Sequence, residues 1–388
     1  MVKKSYWPYW IGLTLFCVMT MTTANIQGNQ NIIIFGDSLS DMGNNTWIVG
    51  KGYHGAPITN QPTAAAKVLW PNLIVSQIHG TPLSPHDPFL FSQSASPHDP
   101  LQDDVNFAYA SAETGANYLN DLDFSRGYPP YVHCAKPGLV DATHSCVPGL
   151  IAQVQLYLTQ VQQQPNPNTV FILWAGGNDF FNNVSKLLAH QTTLSHLKLG
   201  LQQLASAYGT HQWPHTGGVV YSHPVQNIRQ AVTLLVQHDV PLANIYVLNL
   251  PDMSKVPAAR DMVQAFADSF VKAHPHFAAL KSTIENLLSG AIRFMSASYN
   301  TALRLALCFN QTEPNLAQHH LFKINAMFKQ IETNKALDKK YGLTNITDSC
   351  VDKGDAPECK GYAFYEIKHP TLAVEHVLAD QFVVAETT

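Results

Sequence analysis

Four apolar residues, Ile32-Ile33-Ile34-Phe35, lead directly into Gly36-Asp37-Ser38-Leu39-Ser40-Asp41. A short run this rich in β-branched side chains reads as a strand buried on both faces, the pattern of a parallel sheet. Gly36 lets the backbone turn sharply out of that strand toward a helix. Ser38 then lies at the strand's carboxyl end, where open α/β sheets bind their ligands. At a helix start its own N–H lacks an intrahelical partner and can face a developing negative charge. Two roles fit this position: a hydroxyl nucleophile, or a cap on the following helix, which serine makes well. The motif alone does not choose between them.

Strand and helix signals alternate along the rest of the chain. Helical patterns cover residues 64–78, 150–164, most of 180–207, 225–238, 257–288, 298–307 and a last segment after Pro370. Strand patterns cover residues 104–108, 169–174, 244–250 and, weakly, 321–324. Such alternation predicts an α/β protein with helices on both faces of a parallel sheet. With 388 residues, 46% hydrophobic and only 13% charged, the chain can bury a large core and is neither disordered nor fibrous. No shift in composition marks a boundary, so residues 25–388 are expected to form one domain.

The amino end places Lys3-Lys4 before an apolar stretch from Trp7 through Met21, followed by the small residues Thr22-Thr23-Ala24. This order predicts a secretory signal over residues 1–24, cleaved after Ala24, and a secreted product, extracellular or periplasmic. A membrane anchor fits less well, because Pro8 interrupts a stretch that is short of the ~20 apolar residues a span needs. Cys17 follows Phe16 rather than a small residue, which argues against a lipoprotein. Loss of Lys3 and Lys4 takes the net charge from −4 to −6, and no basic run offsets it, so no nucleic-acid partner is expected. In an oxidising compartment the local pairs Cys134–Cys146 and Cys350–Cys359 are the expected disulfides, with Cys308 a buried thiol in the apolar stretch 301–308. No CxxC pair exists, and no metal or organic cofactor is expected.

Several signatures are set aside. Gly50-Lys51-Gly52-Tyr53-His54-Gly55 fits the dinucleotide fingerprint, yet it follows no strand, and no acidic residue stands between Asp41 and Asp87 to hold a ribose. The repeats Ser84-Pro85-His86-Asp87-Pro88 and Ser96-Pro97-His98-Asp99-Pro100 read as solvated turns rather than a metal site. Two long loops, 80–103, which carries both repeats, and 208–223, suit lids. Walker, HExxH and G-x-S-x-G patterns are absent from the sequence.

The case for catalysis comes from the other element ends. The apolar run Thr169 to Trp174 leads into Ala175-Gly176-Gly177-Asn178-Asp179, which puts a side-chain amide at a second carboxyl end; an amide N–H suits an oxyanion, and a cap or turn residue is the alternative. Near the carboxyl terminus Glu366 precedes His369 by three residues. On a turn, that spacing lets the carboxylate hold one imidazole nitrogen while the other faces a hydroxyl.

Taken together these blocks resemble the GDSL esterases and lipases, also called SGNH hydrolases. The resemblance rests on Phe35 to Asn44, Val105 to Ala112 (VNFAYASA), Gly176-Gly177-Asn178-Asp179 and the segment ending His369-Pro370-Thr371, with Leu248 to Met253 and Tyr341 to Asp348 as further segments. It is nearest to the secreted bacterial lipolytic branch of phospholipases A, lysophospholipases and glycerophospholipid-cholesterol acyltransferases. The resemblance implies a three-layer α/β/α flavodoxin-like fold with its site at the carboxyl ends of a parallel sheet. It implies Ser38 as nucleophile, His369 as base and then acid, Glu366 as the carboxylate that orients it, and an oxyanion hole from the Ser38 N–H, the Asn178 side chain and a backbone N–H of the second block. Two residues depart from the family pattern: Ser111 (or Ala110) stands where the oxyanion glycine is usual, and Glu366 where an aspartate is usual. The implied substrates are phospholipid or lysophospholipid, with transient contact at a membrane surface and a sterol or other alcohol as a second acceptor. Alternatives are a carbohydrate or short-chain acetylesterase, and an inactive binding module. The Cys134–Cys146 loop is either a surface staple or a lid.

Overall fold

Every residue of the strands Ile32–Gly36 and Val170–Trp174 is buried in the computed structural model, which describes residues 26, 28–42, 69–80, 101–116, 118–119, 147–189, 194–213, 220–308, 320–334, 339–356 and 358–387. The expected export signal, the Gly50 to Gly55 stretch, both Ser-Pro-His-Asp-Pro repeats and the cysteines Cys134 and Cys146 lie outside these residues. In chain order the strands are β1 Ile32–Gly36, β2 Val105–Asn106, β3 Tyr118–Leu119, β4 Val147–Pro148, β5 Val170–Trp174, β6 Ile245–Leu248, β7 His320–Phe322, β8 Asn345–Ser349 and β9 Tyr362–Phe364. The helices are α1 Trp70–His79, α2 Leu150–Gln160, α3 Gly177–Ala189, α4 Leu194–Thr210, α5 Pro224–Gln237, α6 Pro257–Ala273, α7 Lys281–Ala306, α8 Ile324–Thr333, α9 Cys350–Lys353 and α10 Leu372–Thr387.

Five strands form one parallel sheet in the order β2-β1-β5-β6-β7. The chain builds outward from β1 in one direction, then returns across it and builds outward in the other. That reversal opens a crevice between the carboxyl ends of β1 and β5, the usual ligand position in a flavodoxin-like sheet. Ser38 follows β1 and Asn178 follows β5, so the topology brings the two blocks side by side.

Each sheet face carries its own helices, because side chains alternate along a strand. Phe35 and Phe171 point to one face and pack with Phe107 against Tyr157 of α2, ring centres 5.3–5.9 Å from the tyrosine. Trp174, Tyr246 and Phe322 point to the other, where Trp70 of α1 meets Trp174 at 5.8 Å and Phe382 of α10 meets Tyr246 and Phe322 at 5.6 and 5.3 Å. The architecture is a three-layer α/β/α sandwich. Among the described residues no helix is long and apolar enough to cross a membrane.

Differences from the sequence reading have local causes. The pattern expected to stop at residue 288 and resume at 298 is one helix, α7, with Gly290 in its interior; the real break falls earlier, at His274. Pro275 lacks an N–H and drives His274 out of the helical region, to φ −134° and ψ 72°. Residues 180–207 divide into α3 and α4. The short pairs β3 with β4 and β8 with β9 were not anticipated, since two- to five-residue strands carry too few side chains to show a period. Cys308 is half-buried rather than buried: it lies two residues past the end of α7, and its thiol donates to the Arg304 carbonyl at 3.3 Å. The expected Cys350–Cys359 disulfide is present, with the two Cα atoms 5.4 Å apart.

Candidate active site

Past Gly36 the chain makes a turn, with the Ser40 N–H donating to the Asp37 carbonyl at 3.0 Å, and Ser38 rides on this turn rather than capping a helix. Gly36 is required by close approach: a Cβ there would stand 2.5 Å from the Trp174 carbonyl oxygen of β5. Its backbone is clamped on its other side by Gln153 of α2, whose Oε1 accepts the Gly36 N–H at 2.9 Å while its Nε2 donates to the Gly36 carbonyl at 2.8 Å. The turn itself is held by three more contacts. Leu39 N–H donates to the Asp37 carboxylate at 3.0 Å, the Trp70 indole to the Leu39 carbonyl at 2.8 Å, and the Asn106 amide to the Ser40 carbonyl at 2.7 Å.

His369 reaches Ser38 from the far end of the sequence. Phe364 bridges Pro370 in antiparallel fashion, and the Tyr365 N–H donates to the His369 carbonyl at 2.9 Å, so residues 365–369 close a tight loop. A further bond, from the Ala258 N–H to the Ile367 carbonyl at 2.8 Å, fastens the loop to the start of α6. This loop sets the His369 Nε2 2.6 Å from the Ser38 Oγ. The His369 Nδ1 is hydrogen-bonded to the Glu366 Oε1, which also accepts the backbone N–H groups of Lys368 and His369 at 3.0 and 2.8 Å. The i,i+3 spacing read from the sequence therefore brings carboxylate, imidazole and hydroxyl into one line. Burial alone would raise the Glu366 carboxyl, but the His369 ring and the two N–H donors hold it below the usual carboxylate range. Asp37 differs: burial pushes it up to about 6, against the Leu39 N–H and the positive charge of His369 and Lys368.

Asn178 and the second block meet beside this line. The Asn178 Nδ2 donates to the Ala112 carbonyl at 3.0 Å; an amide nitrogen has two N–H groups, so one is still available to an oxyanion. The Ala110 N–H donates to the Asp41 carboxylate at 2.8 Å and the Ala112 N–H to the Tyr109 carbonyl at 3.1 Å. Between them Ser111 adopts φ +68°, a left-handed conformation that glycine takes without cost. A glycine, the residue that the resemblance led us to expect here, takes this conformation without strain.

Three side chains stitch the second block to α3. Besides Asn178, the buried Asp179 accepts from the Thr114 N–H at 2.9 Å and the Thr114 hydroxyl at 2.8 Å, and the Asn182 amide donates to Glu113 at 2.6 Å. Burial raises the Asp179 carboxyl, and the neighbouring Glu113 charge adds to the effect. These supports, with Gln153 and Asn106, escaped the sequence reading. Gln153 had a signal: it interrupts the apolar face of Leu150, Ile151, Val154, Tyr157 and Leu158, and a polar group so buried needs a partner.

Ser38, Asn178 and His369 line a cleft whose other walls are mostly apolar, chiefly Leu39, Trp174, Phe181, Leu250, Met253 and Phe328, with Asp37 and Lys368 as charged members. Ser111 does not line it. The cleft is partly open and its volume is about 60 Å3. Among the described residues no group of three or more His, Cys, Asp or Glu is placed to hold a metal ion. The arrangement can deprotonate a serine hydroxyl, hold the resulting imidazolium and offer donors to an oxyanion. A family model described as GDSL-like Lipase/Acylhydrolase matches residues 32–382, a span that contains all of these residues. No curated protein matches the chain.

Proposed function

Because this chain belongs to the GDSL-like lipase/acylhydrolase family, whose members are hydrolases acting on esters, we propose that it is a lipolytic serine hydrolase of the phospholipase A or lysophospholipase type. The observation that carries the reading is the continuous line from Glu366 through His369 to Ser38 at the head of an apolar cleft. Ser38 Oγ attacks the ester carbonyl while His369 Nε2 takes its proton. The tetrahedral oxyanion is met by the Asn178 amide and the Ser38 backbone N–H, and the resemblance adds the Ser111 backbone N–H as a third donor. His369 returns the proton to the leaving alcohol, an acyl group remains on Ser38, and water activated by His369 releases it as a fatty acid. A sterol or other alcohol in place of that water makes the same acyl-enzyme a donor for transfer.

The apolar walls support an acyl chain as the group bound, and a lipid substrate implies transient contact with a membrane surface. The amino-terminal pattern and the Cys350–Cys359 disulfide support export with removal of residues 1–24, leaving one domain. A second reading, hydrolysis of acetyl or other short-chain esters, is favoured by the small volume of the cleft.

One panel tests both readings. Lysophospholipid, diacyl phospholipid, monoacylglycerol and an acetylated sugar are offered with and without cholesterol, and products are identified by mass. Long-chain fatty acid release is expected, and a Ser38→Ala variant with unchanged circular dichroism should lose at least about 1,000-fold in turnover. Cleavage confined to acetyl esters would overturn the lipid reading, and full turnover by the variant would overturn the mechanism.

A further inference from the structure

Adjacent to the apolar cleft lies a second, more polar basin of about 430 Å3, and Pro251, Val256, Phe328 and Phe364 belong to the walls of both. Those residues form a ridge, with Phe328 and Phe364 stacked at 6.1 Å. On one side the ridge faces Ser38 and His369; on the other it faces Lys255, Arg293 and Lys329, together with Asp252 and Glu332.

The ridge is braced from the basin side. Asn300 of α7 holds the Leu250 backbone at both ends, accepting its N–H at 3.1 Å and donating to its carbonyl at 2.8 Å. The Ser296 hydroxyl accepts the Met253 N–H at 3.1 Å, and Asn249 and Asn325 exchange two bonds of 2.8 and 3.2 Å. The partition is thus a fixed feature between two different solvents for a ligand: one apolar, one charged.

Three cations face two carboxylates in the basin, and their mutual pairing is weak. Lys255 and Glu332 stand 3.9 Å apart, while Arg293, 63% exposed, meets Asp252 through its Nε at 3.1 Å. Lys329, on the exposed side of α8, has no ion pair among the described residues. Exposed pairs of this kind contribute little, so a dianionic or monoanionic phosphate can replace a carboxylate without a large loss. The guanidinium fork matches phosphate oxygens, and lysine adds a mobile point charge.

We propose that this basin is the headgroup subsite, binding the phosphate of a glycerophospholipid through Arg293, Lys329 and Lys255 while the acyl ester lies across the ridge at Ser38. The inference rests on the lipolytic reading above, and its test is chosen to stand apart from catalysis. Binding is measured on full-length Ser38→Ala protein, with a lysophospholipid and a monoacylglycerol of the same acyl chain in the same neutral detergent. Adding Arg293→Gln and Lys329→Gln should lower the ratio of lysophospholipid to monoacylglycerol affinity about tenfold. High salt should lower it in the same direction. An unchanged ratio would overturn the subsite, as would inorganic phosphate binding as tightly as the lysophospholipid, which would make the basin a free-anion site. Failure of the Ser38 enzyme to cleave any lipid ester would instead defeat the lipolytic reading, whatever the affinity ratio.

Discussion

Glu366 and Ser111 stand where the sequence resemblance led us to expect an aspartate and a glycine, and each is accommodated by backbone. Glutamate is longer than aspartate by one methylene, yet its Oε1 meets the His369 Nδ1 because the tight loop also directs two backbone N–H groups at the same oxygen. Those donors hold the amide oxygen of a Glu366→Gln variant toward the ring, so the tautomer is kept, but the negative charge that stabilises the imidazolium is lost. Turnover should fall about 100- to 10,000-fold with little change in KM, read from steady-state kinetics on a soluble ester. An equal loss in KM would assign Glu366 to substrate binding instead. Ser111 takes a left-handed conformation that costs a non-glycine residue on the order of 1 kcal/mol, held there by the Asp41 and Tyr109 contacts of its two neighbours.

Among elements, the junction of α1 and α10 ties the carboxyl terminus to the nucleophile turn. Glu375, buried on α10, accepts the N–H of Trp70 at the start of α1 at 2.9 Å, and the Trp70 indole holds the Leu39 carbonyl. Burial pushes this carboxyl from about 4.5 up to about 8, with the Trp70 N–H acting against it. Because the folded value is the higher one, the stabilising contribution of the protonated acid is full below about pH 4.5 and is lost as pH rises through about 8. Glu375→Gln keeps an acceptor for Trp70 without a charge to bury. The fall in unfolding free energy between pH 5 and pH 9 should therefore shrink by on the order of 2–4 kcal/mol in the variant, measured by urea titration at each pH. Parallel pH profiles for variant and wild type would refute this. The link was hidden in the sequence: Glu375 looks like an ordinary acidic residue in the first turn of a helix, and only packing against α1 removes it from water.

At the scale of the molecule, the crossover sheet and the carboxyl-terminal disulfide do different work. The sheet order puts the ends of β1 and β5 together, while the Cys350–Cys359 bridge closes a short loop just ahead of β9 and the His369 turn. Replacing both cysteines by serine should cost about 2–3 kcal/mol of stability, read as a lowered urea midpoint; an unchanged midpoint would show the bridge to be idle. Much of this architecture was legible in the chain. Buried β-branched runs ending in Gly36 and Trp174 announced parallel strands, and Glu366 and His369 lay close enough in sequence for spacing alone to pair them. What the sequence by itself determined was local: which segments extend, where glycine and proline turn the chain, and which side chains carry chemistry. Only the tertiary structure decided that His369 meets Ser38 across most of the chain, that Gln153 and Asp179 are supports, and that Lys255, Arg293 and Lys329 surround one basin. Such contacts depend on strand order and helix packing, which are set by burial of the whole core rather than by any window of neighbouring residues.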